Sequence, residues 1–146
     1  MKFSILLPTR NRLELLRHAI ASVRAQDHAS WEVVVADNAS EADVPGYVAS
    51  LAEPRIRCHR SATLLPVTDN WNAALERSEG EYLIMLGDDD ALMPGSLAAL
   101  ARLAEQWAVP DAIYVQALQY AYPGVVPGHA EAFVQLGYNE FFVPGA

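Results

Sequence analysis

The sequence has few of the features that mark extracellular, membrane-spanning or nucleic-acid-binding proteins. Its 146 residues include one cysteine, Cys58, so no internal disulfide is possible and we expect a reducing, cytoplasmic location. Apolar runs stay well short of the roughly 20 residues that span a membrane, and the stretch after Lys2 is too short for a secretory signal. We therefore expect no transmembrane segment. Basic residues do not cluster, so we also expect no nucleic-acid partner.

Several common catalytic motifs are also missing. Neither Gly-x-Gly-x-x-Gly nor a Walker-type loop follows the first apolar segment, which argues against dinucleotide dehydrogenases and P-loop enzymes. The chain has no Gly-x-Ser-x-Gly elbow of a hydrolase, and Cys58 beside His59 lacks the Cys-x-x-Cys spacing of a zinc site. A nucleotide bound here would need its phosphates neutralised in another way.

What the sequence does contain is enough apolar residues for one core and an uneven negative charge. Hydrophobic residues make up 52% of the chain, which is the size of one domain. Residues 1–60 carry eight Lys or Arg and seven Asp or Glu, whereas residues 61–146 carry two and eleven. Solubility explains this acidity in general but not the three consecutive aspartates at 88–90. A divalent cation with oxygen ligands would relieve the repulsion among them.

Short apolar segments alternate with amphipathic ones along the chain. The pattern predicts strands over residues 3–7, 31–36, 55–59, 81–86 and 111–117. It predicts helices that begin near Asn11 and at Thr68 or Asp69 as N-caps, about residues 43–52, after Pro94-Gly95, and over a short stretch at about 130–136. This order indicates an α/β fold, a doubly wound and mostly parallel sheet with helices on both faces.

Polar segments follow three of the predicted strands, at residues 8–11, 37–40 and 87–90. In doubly wound sheets, ligands bind beyond the carboxyl ends of the strands, so these segments should meet at one edge. Each segment alone also fits a simpler role: residues 8–11 a turn and helix cap, Asp37 an Asx-turn with Ser40, and the aspartates a solvated turn. Their shared position favours one functional site.

Four segments then carry a recognisable pattern. Residues 5–12 (ILLPTRNR) and 32–40 (EVVVADNAS) each join an apolar strand to a polar end, and residues 70–75 and 80–90 lead into the aspartates. In this order and spacing they resemble family 2 glycosyltransferases of the GT-A fold. The resemblance covers about residues 3–105 and implies a Rossmann-like donor-binding sheet with an Asp-x-Asp metal motif.

The resemblance implies transfer of a sugar from a nucleotide-diphosphate sugar, a UDP-sugar, to the hydroxyl of an unknown acceptor. Mn²⁺ or Mg²⁺ on the acidic motif would stabilise charge on the leaving diphosphate. Asp89 is the expected metal ligand, with Asp88 and Asp90 beside it. Because Gly87 stands where the family often has aspartate, the operative pair is either Asp88 with Asp90 or Asp88 with Asp89. The nucleotide-binding residues implied by the resemblance are Pro8, Thr9, Asn11, Asp37, Asn70 and Asp88.

The chain departs from the family where a catalytic base is needed. In the family this carboxylate lies well downstream of the acidic motif, and no motif marks Glu131 or Glu140 for that role. We predict a nucleotide-sugar-binding domain over residues 1–117 and the start of a loop-rich acceptor-side region over 118–146, in a truncated or shortened family member. An exposed sheet edge and an apolar tail would favour homo-oligomers.

Three other functions compete with this interpretation. The first is a non-catalytic nucleotide-sugar-binding module that lacks the base. The second is a nucleotidyltransferase, which normally has a glycine-rich basic loop where this chain has residues 8–11. The third is a receiver-like signalling domain, whose acidic pocket normally includes residues at the positions of Pro8 and Thr9. Metal-dependent binding of one nucleotide that is lost in Asp89→Asn would support the glycosyltransferase and the binding module over the other two functions. Product formation from a labelled donor would then separate the enzyme from the binding module.

Overall fold

A computed structural model describes residues 1–115, 118–120 and 133–135 of the chain. These residues fall into two compact units, Met1–Val109 and Pro110–Ala146. The elements of the first unit are β1 (Phe3–Thr9), α1 (Leu13–Arg24), β2 (Trp31–Asp37), α2 (Val44–Ser50), β3 (Ile56–Arg60), α3 (Val67–Leu75), β4 (Tyr82–Met85) and α4 (Ser96–Gln106). The second unit contains an antiparallel pair, β5 (Leu118–Tyr120) and β6 (Phe133–Gln135).

The first unit is built on a parallel sheet with the strand order β3-β2-β1-β4. Thr9 pairs with Asp37 at the carboxyl end of β1 and β2, and Asp37 pairs in turn with Arg60 of β3. The chain first adds strands on one side of β1 and then crosses over to place β4 on the other side. This reversal makes the sheet doubly wound, as predicted, and puts the switch point between β1 and β4.

The alternation of side chains along β1 and β2 divides the core between the two faces of the sheet. Ile5, Leu7 and Val33 point to one face and belong to the larger cluster, which α1, α2 and α4 complete. Leu6 and Val34 point to the other face, where they pack with Ala74 of α3. Helices therefore cover both faces, which is why these central strands are apolar throughout.

Two predicted elements are wrong. Residues 111–115 do not form the predicted strand, and residues 116 and 117 lie outside the described part of the chain. Tyr114 is 92% exposed, so its β propensity is not supported by burial against a sheet. The predicted helix over about 130–136 is contradicted at residues 133–135, which pair with β5 as a strand. Short segments of this kind take their structure from their partners rather than from their own propensity.

The predicted N-caps are also corrected. The N-cap position of α1 is Arg12 rather than Asn11, and that of α3 is Pro66 rather than Thr68 or Asp69, with no capping hydrogen bond from either side chain. Asn11 instead adopts a positive φ of 56°, a conformation that asparagine tolerates better than most residues. Its side chain is thereby released to bond a neighbouring loop.

The domain assignment stays a prediction. The chain divides into compact units after Val109, upstream of the predicted boundary at residue 117. The acceptor-side role of residues 118–146 is a functional statement that this division leaves untested. In the parts of the chain that the structure describes, no helix is both long and apolar enough to cross a bilayer.

Candidate functional site

The loops after β1 and β2 are tied together at the carboxyl edge of the sheet. The amide of Asn38 donates to the carbonyl of Thr9 at 2.9 Å. The amide of Asn11 donates to Ser40 Oγ at 2.9 Å, and Asn11 Oδ1 accepts from the amide of Glu41 at 2.8 Å. The unusual backbone of Asn11 is thus fixed by hydrogen bonds on both sides.

The loop after β4 joins the same edge through a buried hydrogen bond. Thr9 Oγ1 donates to Asp88 Oδ2 at 2.7 Å, and both side chains are buried. Next to it, the amide of Leu86 donates to the carbonyl of Leu6 at 3.0 Å, which extends the β1–β4 pairing toward the loop. The prediction that the three polar segments meet at one edge is therefore confirmed.

Asp37 lies at the centre of this edge, fully buried, with its two oxygens in different situations. Oδ1 accepts a hydrogen bond from the amide of Ser40 at 3.1 Å, so the Asx-turn considered from the sequence is present. Oδ2 is buried without a hydrogen-bond donor. Arg60 Nε lies 3.6 Å from Oδ2, close enough for charge attraction but not for a hydrogen bond. One carboxylate oxygen thus retains its full capacity to accept a donor.

Arg60 is a site residue that the sequence analysis missed. Its guanidinium donates to the carbonyls of Ala42 and Ser40, which orients it over Asp37. The sequence could have revealed this residue. A strand that begins at Ile56 and runs one residue beyond the predicted end places Arg60 opposite Asp37. The predicted strand ended at His59, one residue too early.

Arg12 is the second missed residue, and it lies between two of the aspartates. Arg12 Nη1 is 3.3 Å from Asp88 Oδ1 and 3.0 Å from Asp89 Oδ2. The hydrogen bond to Asp88 and the charges of both carboxylates raise the pKa of Arg12, so the guanidinium stays charged. The Arg12 side chain is 53% exposed while it makes both contacts.

The third aspartate folds back over Gly87 together with its neighbour. A Cβ at Gly87 would lie 2.7 Å from Asp90 Oδ2 and 2.9 Å from Asp89 Oδ1. The glycine therefore leaves room for a carboxylate oxygen from each of these two residues. Oxygen donors of this kind suit a hard divalent cation that completes its shell with phosphate and water. The described residues contain no group of three or more acidic, histidine or cysteine side chains arranged to hold a metal unaided.

Two other side chains at this edge support backbone segments. Asn70 is buried and donates from Nδ2 to the carbonyl of Ala36 at 3.0 Å, which fixes α3 against the end of β2. The Asn38 side chain makes two hydrogen bonds to the backbone of Leu65. Its Oδ1 accepts from the Leu65 N–H at 2.8 Å, and its Nδ2 donates to the Leu65 carbonyl at 3.0 Å. Pro8 lies within β1 opposite Ala36. Nucleotide contact by Pro8 and Asn70 stays a prediction.

The family model for glycosyl transferase family 2 matches residues 4–135. The chain belongs to this family. It is 33% identical over 108 residues to the GalNAc(5)-diNAcBac-PP-undecaprenol beta-1,3-glucosyltransferase of Campylobacter jejuni, covering 72% of this chain and 35% of that protein. It is 30% identical over 131 residues to the putative colanic acid biosynthesis glycosyl transferase WcaA of Escherichia coli, covering 85% and 47%.

The solved structures agree with the sequence relatives. The S. aureus TarS 1–349 structure in complex with UDP-GlcNAc superposes with a TM-score of 0.65 and 26% identity, covering 73% of this chain and 32% of that one. The family 2 chain described here therefore has the GT-A fold, as predicted. It spans about a third to a half of the length of the curated relatives that it matches.

Proposed function

We propose that this chain binds the nucleotide-sugar donor of a metal-dependent glycosyltransferase that transfers the sugar to an acceptor hydroxyl. The observation that carries the proposal is Asp37 Oδ2, an ionisable oxygen buried at the carboxyl edge of a doubly wound sheet without a hydrogen-bond donor. An unsatisfied buried carboxylate oxygen costs stability, and a ligand N–H or O–H would remove that cost. The base and ribose of a nucleotide both offer such groups.

The nucleoside would lie across the tied loops of this edge. Asp37 would accept from the base or ribose, while Pro8, Thr9 and Asn11 would line the pocket beside it. Asn70 and Asn38 would act as positioning residues, because their amides bond the backbone that shapes the edge. A UDP-sugar is the proposed donor, and the UDP-GlcNAc complex of the structural neighbour supports that choice.

The aspartates would hold the divalent cation, Mn²⁺ or Mg²⁺. Asp89 is the first proposed ligand, because its carboxylate is more exposed than the buried Asp88 and can reach a phosphate-bound ion. Asp88 and Asp90 would flank it. When bound, the cation would stabilise negative charge on the departing diphosphate. Thr9 would hold Asp88 in place through the 2.7 Å hydrogen bond.

The catalytic base is left unassigned. Glu131 and Glu140 fall outside the described residues. Self-association and the cytoplasmic location also remain predictions. A non-catalytic nucleotide-sugar-binding module is the alternative, and transfer assays separate it from the enzyme.

The deciding experiment is calorimetric titration of UDP into the chain with and without Mn²⁺. We expect Mn²⁺-dependent binding that weakens about 10- to 100-fold in Asp37→Asn, the usual value of one hydrogen bond to a charged group. Asp27→Asn, which makes the same charge change at an exposed position, should bind like the wild type. Equal affinities in all three proteins, or no nucleotide binding in any condition, would overturn the proposal. Radiolabelled donor then tests whether bound sugar is transferred.

A further inference from the structure

The contact between Arg12 and the aspartates has a consequence for metal binding. Thr9 bonds one oxygen of Asp88, and Arg12 contacts the other. The same guanidinium nitrogen contacts Asp89 at 3.0 Å. A cation bound by Asp88 Oδ1 and Asp89 Oδ2 would compete with the Arg12 guanidinium for these two oxygens.

Arg12 is free to give up this position. Its side chain is about half exposed and makes no capping hydrogen bond at the start of α1, where the residue is the N-cap. Asp89 is also exposed, and exposed ion pairs contribute little to stability, so separating the guanidinium from Asp89 costs little. The backbone carbonyl of Arg12 accepts from the amide of Leu16, so the helix keeps its first turn when the side chain moves.

A diphosphate would provide oxygen ligands both for the Arg12 guanidinium and for the metal ion. Guanidinium groups bind phosphate oxygens in bidentate fashion, and Mg²⁺ and Mn²⁺ bind carboxylates most readily when substrate phosphates complete the shell. The ion could then occupy the carboxylates while Arg12 contacts the phosphates. The two aspartates carry two negative charges, of which Arg12 balances one. A divalent cation balances both, so it neutralises the pair better than the arginine does.

We propose that Arg12 is a placeholder for the metal: its guanidinium occupies the metal position and holds Asp88 and Asp89 together. A nucleoside diphosphate then binds the guanidinium and frees both carboxylates for the metal. The proposal rests on the proposed function of this edge. Its consequence is thermodynamic: Arg12 penalises binding of the metal alone, and the diphosphate removes the penalty. Metal and diphosphate therefore bind with positive coupling, and each strengthens the other by the same factor.

The test measures Mn²⁺ affinity by electron paramagnetic resonance of the free ion, with and without UDP, using the full chain. We expect Arg12→Ala to bind Mn²⁺ alone at least about fivefold more tightly than the wild type, and to lose most of the strengthening by UDP. Arg10→Ala is the matched control, since it removes an equal charge two residues away at an exposed position outside the described aspartate contacts. Its Mn²⁺ affinity should stay within about twofold of the wild type.

A second variant guards against a general loss of structure. Arg12→Lys keeps the charge on a head group of different shape and reach, so we expect Mn²⁺ affinity between those of the wild type and Arg12→Ala. Mn²⁺ affinity that is unchanged or weaker in Arg12→Ala, or equal to that of Arg10→Ala, would overturn the placeholder. So would UDP binding that needs Arg12 but no metal. Failure of UDP to bind any of these proteins would overturn the proposed function instead, which keeps the two failures distinct.

Discussion

The two ends of β2 each bury a carboxylate near an arginine of β3, but they treat it differently. Glu32, at the amino end, has hydrogen-bond donors for both of its oxygens. Asp37, at the carboxyl end, keeps one oxygen without a donor. The arrangement at Glu32 needs no ligand to explain it, because both buried carboxylate oxygens have donors within the protein. The second arrangement leaves a cost that a ligand can remove, and this difference distinguishes the structural end of the sheet from the candidate site.

The amino end is a closed network. Glu32 Oε1 accepts from Ser4 Oγ at 2.6 Å and from the amide of Glu79 at 2.7 Å, and Oε2 accepts from Arg57 at 2.6 Å. Lys2 Nζ lies 3.4 Å from the same carboxylate. Burial by itself raises the pKa of Glu32, but these hydrogen bonds and the charge of Lys2 outweigh it, so the pKa is lowered. Glu32 therefore stays ionised at neutral pH.

The carboxyl end is less tightly packed than the amino end. Two glycines show the contrast, because Gly80 precedes β4 and Gly87 follows it. A Cβ at Gly80 would lie 2.6 Å from the backbone nitrogen of Ser4, whereas the three atoms nearest to a Cβ at Gly87 belong to the side chains of Asp89 and Asp90. Backbone atoms of a strand cannot move aside for an added methyl group, whereas the exposed carboxylates of Asp89 and Asp90 can rotate away from it.

The largest expected effect on stability is that of Glu32→Gln. In either orientation the N–H group of the new amide faces a donor, Arg57 or the backbone amide of Glu79, and we expect a loss of about 2–4 kcal/mol in the free energy of unfolding. Urea denaturation measures it. Glu79→Gln is the control, because Glu79 contacts Arg57 and Lys2 from an exposed position and should cost less than about 1 kcal/mol. Similar losses in the two variants would remove the proposed difference between the ends.

The glycines give the next largest effect and test both ends with one change. Gly80→Ala should lose about 1–3 kcal/mol because the methyl group meets backbone atoms. Gly87→Ala should stay within about 0.5 kcal/mol of the wild type while weakening Mn²⁺-dependent UDP binding, because Asp89 and Asp90 must move. Unfolding and titration curves of both variants decide the matter. An equally destabilised Gly87→Ala protein with intact binding would contradict the comparison.

The smallest expected effect is a pH dependence at the amino end. A carboxyl whose pKa is lowered on folding contributes stability that is fully present above its unfolded value, near 4.5, and is lost as pH falls through the lower folded value. The stability difference between wild type and Glu32→Gln should therefore shrink as the pH is lowered below 4.5. Urea midpoints measured from pH 6 downward test this. A difference that is constant or grows in acid would show that the charge of Glu32 is not what stabilises the network.

Strand runs, helical periodicity and chain order were sufficient to predict the doubly wound sheet and the edge where polar segments meet. The same reasoning failed at residues 111–115 and 133–135, where short segments carry little periodic signal. It also placed Asn11 as a cap and missed the contacts of Arg12, because a periodic pattern describes the face on which a residue lies but not the distant side chain that it meets there. Asp88 and Asp89 are 76 and 77 positions away from Arg12 along the chain.

The sequence by itself determined the alternation of strands and helices, the family and the carboxylates that end β2 and follow β4. Apolar strands must be covered and polar strand ends must lie at an edge, so these features follow from burial and chain order. Only the tertiary structure decided how each carboxylate is satisfied: Glu32 completely, Asp37 on one oxygen, Asp88 and Asp89 by sharing Arg12. Hydrogen bonds act over about 3 Å, a scale set by the packing of segments far apart in the chain.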